Sequence, residues 1–180
     1  MLGDSLSAAY GLRVEQGWVA LLQKRLESQG YGYRVVNASV SGETSDGGLQ
    51  RLPRALDLHK PAIVILELGA NDALRGLPLN RTQANLQRMV RQAKRTGAQV
   101  VLLGMRIPPN YGPKYTAQFH NMYRDLAKAE KLRLVPFFLE QVALRDDLMQ
   151  PDGLHPNGTA QPILLDTLWP ELRPVLGKNK

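Results

Sequence analysis

Ala62-Ile63-Val64-Ile65-Leu66-Glu67-Leu68, followed at once by Gly69-Ala70-Asn71-Asp72, is the stretch that decides the fold. A continuous, β-branched-rich run of this length fits a strand buried on both faces. Gln99 to Met105 (QVVLLGM) repeats the pattern. Val35-Val36, within Tyr33 to Asn37, marks another candidate strand, and Leu132 to Val135 a weaker one. Amphipathic helices lie between them. Trp18, Leu21, Leu22 and Leu26 follow i, i+3, i+4, i+8, and Phe119, Met122, Tyr123 and Leu126 follow i, i+3, i+4, i+7. A helix from about Thr82 to Arg95 stops at Gly97. Ile163 to Leu176 carries Pro170 and Pro174, so the last helix is expected to bend or break. Strand–helix alternation of this kind predicts an α/β domain with a mostly parallel sheet and right-handed crossovers. Neither an internal repeat nor a linker divides the chain, so residues 1–180 read as one domain.

Composition narrows the function. The 180 residues include no cysteine, 23 Lys+Arg against 16 Asp+Glu, and 43% hydrophobic residues. Such an apolar content argues for a packed core and against disorder. Without cysteine there is no disulfide, no thiolate zinc site and no cysteine nucleophile. No apolar run approaches the roughly 18 residues that a membrane helix needs, and Met1-Leu2-Gly3 contains no secretory apolar region. The net charge of +7 raises nucleic acid as a partner. Its densest stretch, Arg88 to Arg95, sets its cations opposite the apolar stripe Leu86, Met89, Val90 and Ala93, which is a solvated helix face. With no zinc-finger spacing, aromatic RNA-binding motif or polybasic arm, nucleic acid is not expected as a partner.

In an open α/β sheet, ligands bind beyond the carboxyl ends of the strands. Four turn-rich segments belong there: Gly3 to Ser7, Ser39 to Thr44, Gly69 to Asp72, and Pro151 to Pro156. Ser5 follows a glycine–aspartate turn, where it is either a nucleophile at a helix entrance or an ordinary N-cap with Asp4 closing the turn. Only Met1 and Leu2 precede that turn, so the first strand is either very short or cut.

A serine nucleophile needs a base, and three histidines are available. His59 closes a helical stretch and His120 adjoins an apolar stripe. His155 lies in a proline-bounded loop three residues after Asp152. Asp152 could fix the His155 tautomer and leave Nε2 for the serine proton, or it could be an N-cap beside an exposed histidine. Gly42 allows close backbone approach, and Asn71 offers a side-chain amide at a strand end, where its backbone is a candidate for an unusual conformation. Both also suit plain turn chemistry. Glu67, a carboxylate in an apolar run, is expected at the surface of the sheet's end or paired with an arginine.

Taken together, Gly3-Asp4-Ser5-Leu6-Ser7, Asn37 to Ser45 (NASVSGETS), Glu67-Leu68-Gly69-Ala70-Asn71-Asp72 and Asp152-Gly153-Leu154-His155-Pro156 resemble, in this order, the sequence blocks of the SGNH (GDSL) hydrolase superfamily. Within it they resemble the bacterial multifunctional acyl-CoA thioesterase, protease and lysophospholipase (arylesterase) group. Met105 to Gly112 is similar to that group's substrate loop, and Pro136-Phe137-Phe138 to its fifth-strand segment.

The resemblance implies a flavodoxin-like, three-layer α/β/α fold with a five-stranded parallel sheet whose first strand is truncated here. It implies Ser5 as nucleophile, Asp152 and His155 completing a triad, and the N–H groups of Ser5 and Gly42 with the Asn71 side chain as oxyanion donors. It also implies an acyl-binding cleft near Ile107, Pro108 and Tyr111, and a mobile loop from Ala73 to Pro78. The substrates expected are small acyl esters or thioesters, cleaved by a monomer without metal or cofactor, in the periplasm or outside the cell. The positive surface would then suit CoA phosphates or acidic lipid headgroups. A carbohydrate acetylesterase of the same fold and a non-catalytic flavodoxin-like binding module are the competing readings. The apolar Ile107 and Pro108 weigh against a sugar, and no P-loop or G-x-G-x-x-G supports the module. Ala70 replaces the glycine usual in the third block.

Overall fold

The computed structural model describes residues 1–177. Four parallel strands, β1 (Leu2–Gly3), β2 (Ile63–Glu67), β3 (Gln99–Leu103) and β4 (Arg133–Val135), lie side by side in that order. The register pairs Leu2 with Leu66, Ile65 with Val101 and Leu103 with Val135. Val64 to Leu66 and Val100 to Leu103 are buried, which is why both runs read as continuous apolar sequence. Among the described residues six α-helices connect and cover the strands: α1 (Trp18–Ser28), α2 (Ser45–His59), α3 (Ala70–Leu74), α4 (Leu79–Arg95), α5 (Pro113–Glu130) and α6 (Gln161–Leu172). α1 packs on α6, while α4 packs between α2 and α5, giving an α/β/α sandwich. No helix among the described residues is long and apolar enough to cross a membrane.

The candidate strand at Tyr33 to Asn37 is instead a segment outside the sheet's regular ladder. It nevertheless runs along β1. The Met1 amine donates to the Val36 carbonyl at 2.8 Å, Ala38 N–H to the Met1 carbonyl at 2.9 Å, and Val40 N–H to the Gly3 carbonyl at 3.0 Å. Two residues of β1 offer too little backbone for a longer pairing. The gap shows as a cavity of about 230 Å³ lined by Met1, Val35, Val36, Ile63 and Leu172 among others.

Helix ends follow local chemistry. The Thr44 hydroxyl accepts the Gly47 N–H and caps α2. α4 closes as Ala98 N–H reaches back to the Ala93 carbonyl over Gly97, whose φ of +87° suits glycine. The last helix does break, passing after Leu172 into a 3₁₀ turn at Arg173–Val175 that holds Pro174. The cations Arg88, Arg91, Lys94 and Arg95 are exposed on α4, with Arg91 paired to Glu130.

Candidate active site

β1 ends at Gly3, and the chain turns immediately. Ser7 and Ala8 N–H groups return to the Asp4 carbonyl, and Asp4 Oδ1 accepts the Leu6 N–H at 3.0 Å. Asp4 therefore closes the turn, and Ser5 is free of capping duty. Its Oγ lies 2.8 Å from His155 Nε2, brought there from the far end of the chain. His155 Nδ1 in turn lies 2.6 Å from Asp152 Oδ2.

Asp152 caps no helix, and its two oxygens have separate tasks. Oδ1 accepts the backbone N–H groups of Leu154 and His155 at 2.9 and 3.0 Å, shaping the loop. Oδ2 meets the imidazole. The N–H groups of His155 and Leu154 pull the Asp152 carboxyl down to about 2, so it is ionised at neutral pH. An ionised carboxylate at Nδ1 keeps the proton on that nitrogen and leaves Nε2 able to accept from Ser5. His59 ends α2 and His120 sits within α5 beside Arg106, both away from this serine.

Gly42 adopts φ +77°, a left-handed conformation that favours glycine, and its carbonyl accepts from Arg75 Nη2 at 3.0 Å. Asn71 does not carry the unusual backbone expected of it. Gly69 does, at φ +114°, which lets the chain leave β2 and start α3 with Asn71 in helical conformation. The Asn71 amide donates to Asp4 Oδ2 at 3.1 Å and to the Glu43 carbonyl at 3.0 Å, so it bridges the first and second sequence blocks next to Ser5. Neighbouring Asp72 ties the site's frame together, accepting from Ser45 N–H, Ser45 Oγ and Thr82 Oγ1.

Glu67 is neither at the surface nor paired with an arginine. It is 0% exposed, and its Oε2 accepts the Asp4 N–H at 3.2 Å and the Ser7 hydroxyl at 2.8 Å. The β2 run is apolar because it is buried, and Glu67 is buried with it, at the point where β1 turns toward Ser5.

In the expected substrate loop, Ile107 is buried, Pro108 is exposed, and Tyr111 is exposed with its hydroxyl donating to the Leu74 carbonyl at 3.1 Å. The segment from Ala73 to Pro78 begins in α3 and is tied down by Tyr111, by Tyr115 to the Ala73 and Leu77 carbonyls, and by Arg75. Tyr10 is a member that sequence reasoning missed: its ring packs against His155, with centroids 4.4 Å apart. An aromatic residue shortly after the serine was the one available signal.

Residues 1–161 match the model of the GDSL-like Lipase/Acylhydrolase family. The chain is 56% identical to Esterase TesA of Pseudomonas aeruginosa over 98% of its own length and 88% of that protein. It is 43% identical to Thioesterase 1/protease 1/lysophospholipase L1 of Escherichia coli K12, over 99% of this chain and 85% of that one. Among solved structures, the psychrotrophic esterase EstA from Pseudoalteromonas sp., inhibited by monoethylphosphonate, superposes with a TM-score of 0.92 at 43% identity, covering 96% of this chain and 94% of that one. With a family model spanning nearly nine-tenths of its length and a relative 56% identical over 98% of it, the chain belongs to the GDSL-like lipase/acylhydrolase family.

Proposed function

We propose that this protein is a serine hydrolase that cleaves carboxylic esters and thioesters of acyl chains through an acyl-enzyme on Ser5. The observation that carries the proposal is the unbroken relay from Ser5 Oγ through His155 to Asp152, at 2.8 and 2.6 Å. These distances lie within the reach that proton transfer requires.

His155 Nε2 takes the Ser5 proton as Oγ attacks the acyl carbonyl carbon, and the carbonyl electron pair moves onto oxygen. The N–H groups of Ser5 and Gly42 and the Asn71 amide are the donors assigned to that oxyanion. Both Asn71 amide hydrogens already have acceptors, so the oxyanion takes over the contact to the neutral Glu43 carbonyl. As the carbon–oxygen or carbon–sulfur bond breaks, His155 gives its proton to the leaving group. It then deprotonates a water that attacks the acyl-enzyme, releasing the carboxylic acid and restoring Ser5.

Acyl rather than sugar specificity is supported by the apolar Ile107 and Pro108 beside Tyr111. Action as a monomer is supported by a relay and donor set drawn entirely from one chain. Nucleic acid is left out as a partner because the cations of α4 form a solvated face. Residence in the periplasm or outside the cell is part of the same proposal and rests on the family resemblance; cell fractionation tests it.

A fluorophosphonate probe tests the core reading. It is expected to label the protein covalently and to fail on Ser5→Ala. An unlabelled wild type, or undiminished labelling of Ser5→Ala, overturns the proposal. A series of nitrophenyl esters and acyl-CoA thioesters, run beside acetylated sugars, then decides the substrate class.

A further inference from the structure

Two carboxylates that the mechanism leaves idle face each other directly behind Ser5. Glu67 ends β2 and Asp4 follows β1; they are 0% and 1% exposed. Burying two ionised carboxylates against each other is prohibitive, since neither water nor a counter-ion offsets the repulsion. The Asp4 N–H donates to Glu67 Oε2 at 3.2 Å, which sets the two buried carboxyls side by side, and a proton held by one of them removes the repulsion.

The surrounding donors decide which carboxylate carries it. Asp4 has donors on both oxygens: the Leu6 N–H on Oδ1 and the Asn71 amide on Oδ2. Glu67 has two donors on Oε2, the Asp4 N–H and the Ser7 hydroxyl, while Oε1 is buried with no hydrogen-bond partner. Oε1 is therefore the one oxygen of the four whose protonation displaces no donor.

We propose that Glu67 is a positioning residue for the oxyanion site: protonated on Oε1, it stays neutral beside Asp4 and leaves Asp4 ionised, so that Asp4 grips the Asn71 amide. This rests on the oxyanion role assigned to Asn71 above. Burial, and then the charge of Asp4, holds the Glu67 carboxyl well above the usual range. Asp4 is pushed up to about 6 by burial, against the opposing pull of the Leu6 N–H, Glu67, His155 and Asn71. The remaining titratable neighbours are Asp72 and the buried Tyr123, whose hydroxyl donates to the Leu68 carbonyl. Below about pH 6 a second proton enters at Asp4, the grip on Asn71 slackens, and kcat falls.

The test compares wild type with Glu67→Gln, Glu67→Met, Asn71→Ala and the double variant Glu67→Met/Asn71→Ala. At pH 8 the infrared spectrum of the wild type is expected to contain a buried carboxylic-acid carbonyl band that Glu67→Gln lacks. Absence of the band, or its persistence in Glu67→Gln, overturns the proposal without reference to activity. Gln copies a protonated Glu, so Glu67→Gln is expected to keep kcat within about threefold, whereas Glu67→Met loses about tenfold or more in kcat at nearly unchanged KM. Equal losses in both, or none in the Met variant, overturn it. In the Asn71→Ala background, Glu67→Met is expected to cost less than about twofold more, because its effect passes through Asn71. A fully additive loss marks a merely structural role and overturns it. Full activity of Asn71→Ala instead removes the oxyanion reading, while the infrared band still reports on the proton alone. Should Glu67→Met not fold, the infrared band and Glu67→Gln still decide.

Discussion

The ring of Tyr10 lies against the imidazole of His155, with centroids 4.4 Å apart and planes inclined by 34°. Tyr10 is itself anchored through its backbone, because its carbonyl accepts from Gln150 Nε2 at 2.8 Å and Gln150 N–H bonds the His155 carbonyl at 2.7 Å. The ring thus shields one face of the general base and restricts its rotation. Tyr10→Ala is expected to lower kcat about tenfold, in line with roughly 0.5–1.5 kcal/mol for an aromatic contact plus lost orientation. Tyr10→Phe keeps the ring and is expected to stay near wild type. Stopped-flow acylation rates for both variants check this, and equal losses would assign the effect to the hydroxyl instead.

Asn71 has a different kind of task, since its amide holds two resting contacts and is assigned a third in the transition state. Removing one oxyanion donor costs about 10²–10³ in kcat, and Asn71→Ala is expected to fall in that range while remaining folded. Its stability cost is expected to be modest, about 1–3 kcal/mol for a lost hydrogen bond to a buried carboxylate. Circular dichroism and steady-state kinetics on a short-chain nitrophenyl ester measure both. Near-normal kcat would remove Asn71 from the reaction.

Asp152 separates orientation from charge. In Asp152→Asn the remaining carbonyl oxygen can still accept from Leu154 and His155 N–H, so the loop keeps its shape. What changes is the partner of Nδ1, and with it the tautomer. A loss of roughly 10⁴ in kcat is expected on that ground. Because Asp152 is held at about 2, its protonation lies below the range of ordinary assays. Its depressed carboxyl contributes stability that is present above the unfolded value of 3.8 and lost as pH falls toward 2. The acid limb of the wild-type pH–rate profile is accordingly expected to belong to other groups. A limb that shifts when only the Leu154 and His155 loop contacts are perturbed would contradict this.

The strands at Ile63–Glu67 and Gln99–Leu103 were legible because burial on both faces leaves an unbroken apolar run. The serine, aspartate and histidine were legible because strand ends and loop punctuation place them on one side of a parallel sheet. Glu67 was misread as surface or arginine-paired, because a local sequence window shows an acid in an apolar strand but not the carboxylate that faces it 63 positions away. Tyr10 left only the faint signal of an aromatic residue shortly after the serine, its partner His155 being near the other end of the chain. The strained backbone was assigned to Asn71 and lies at Gly69, two residues earlier: the need for a sharp exit from β2 was readable, its location was not. The extended segment at Tyr33 to Asn37 has strand composition, yet strand pairing depends on the length of the neighbour, which here is two residues.

That short neighbour leads to the final prediction. The cavity of about 230 Å³ lies at the end of the sheet opposite Ser5, between Met1, Val35 and Ile63. Leu22, Leu26 and Leu172 line it together with Arg34, His59 and Lys60, and the Met1 amine at its edge is buried and lowered to about 6 by desolvation. Adding about five apolar residues ahead of Met1, an ordinary strand length, is expected to fill the cavity, extend the pairing along Val36 and convert the buried amine to an amide. All three effects stabilise. The amine gives the gain a pH signature. A basic group whose folded value is depressed binds fewer protons folded than unfolded between about 6 and 8, so wild-type stability from this group rises across that window. The extended chain loses that dependence. Its advantage in Tm is therefore expected to be largest below pH 6 and smaller above pH 8, read by differential scanning calorimetry on both proteins. An unchanged Tm at every pH would show that the added residues do not enter the cavity.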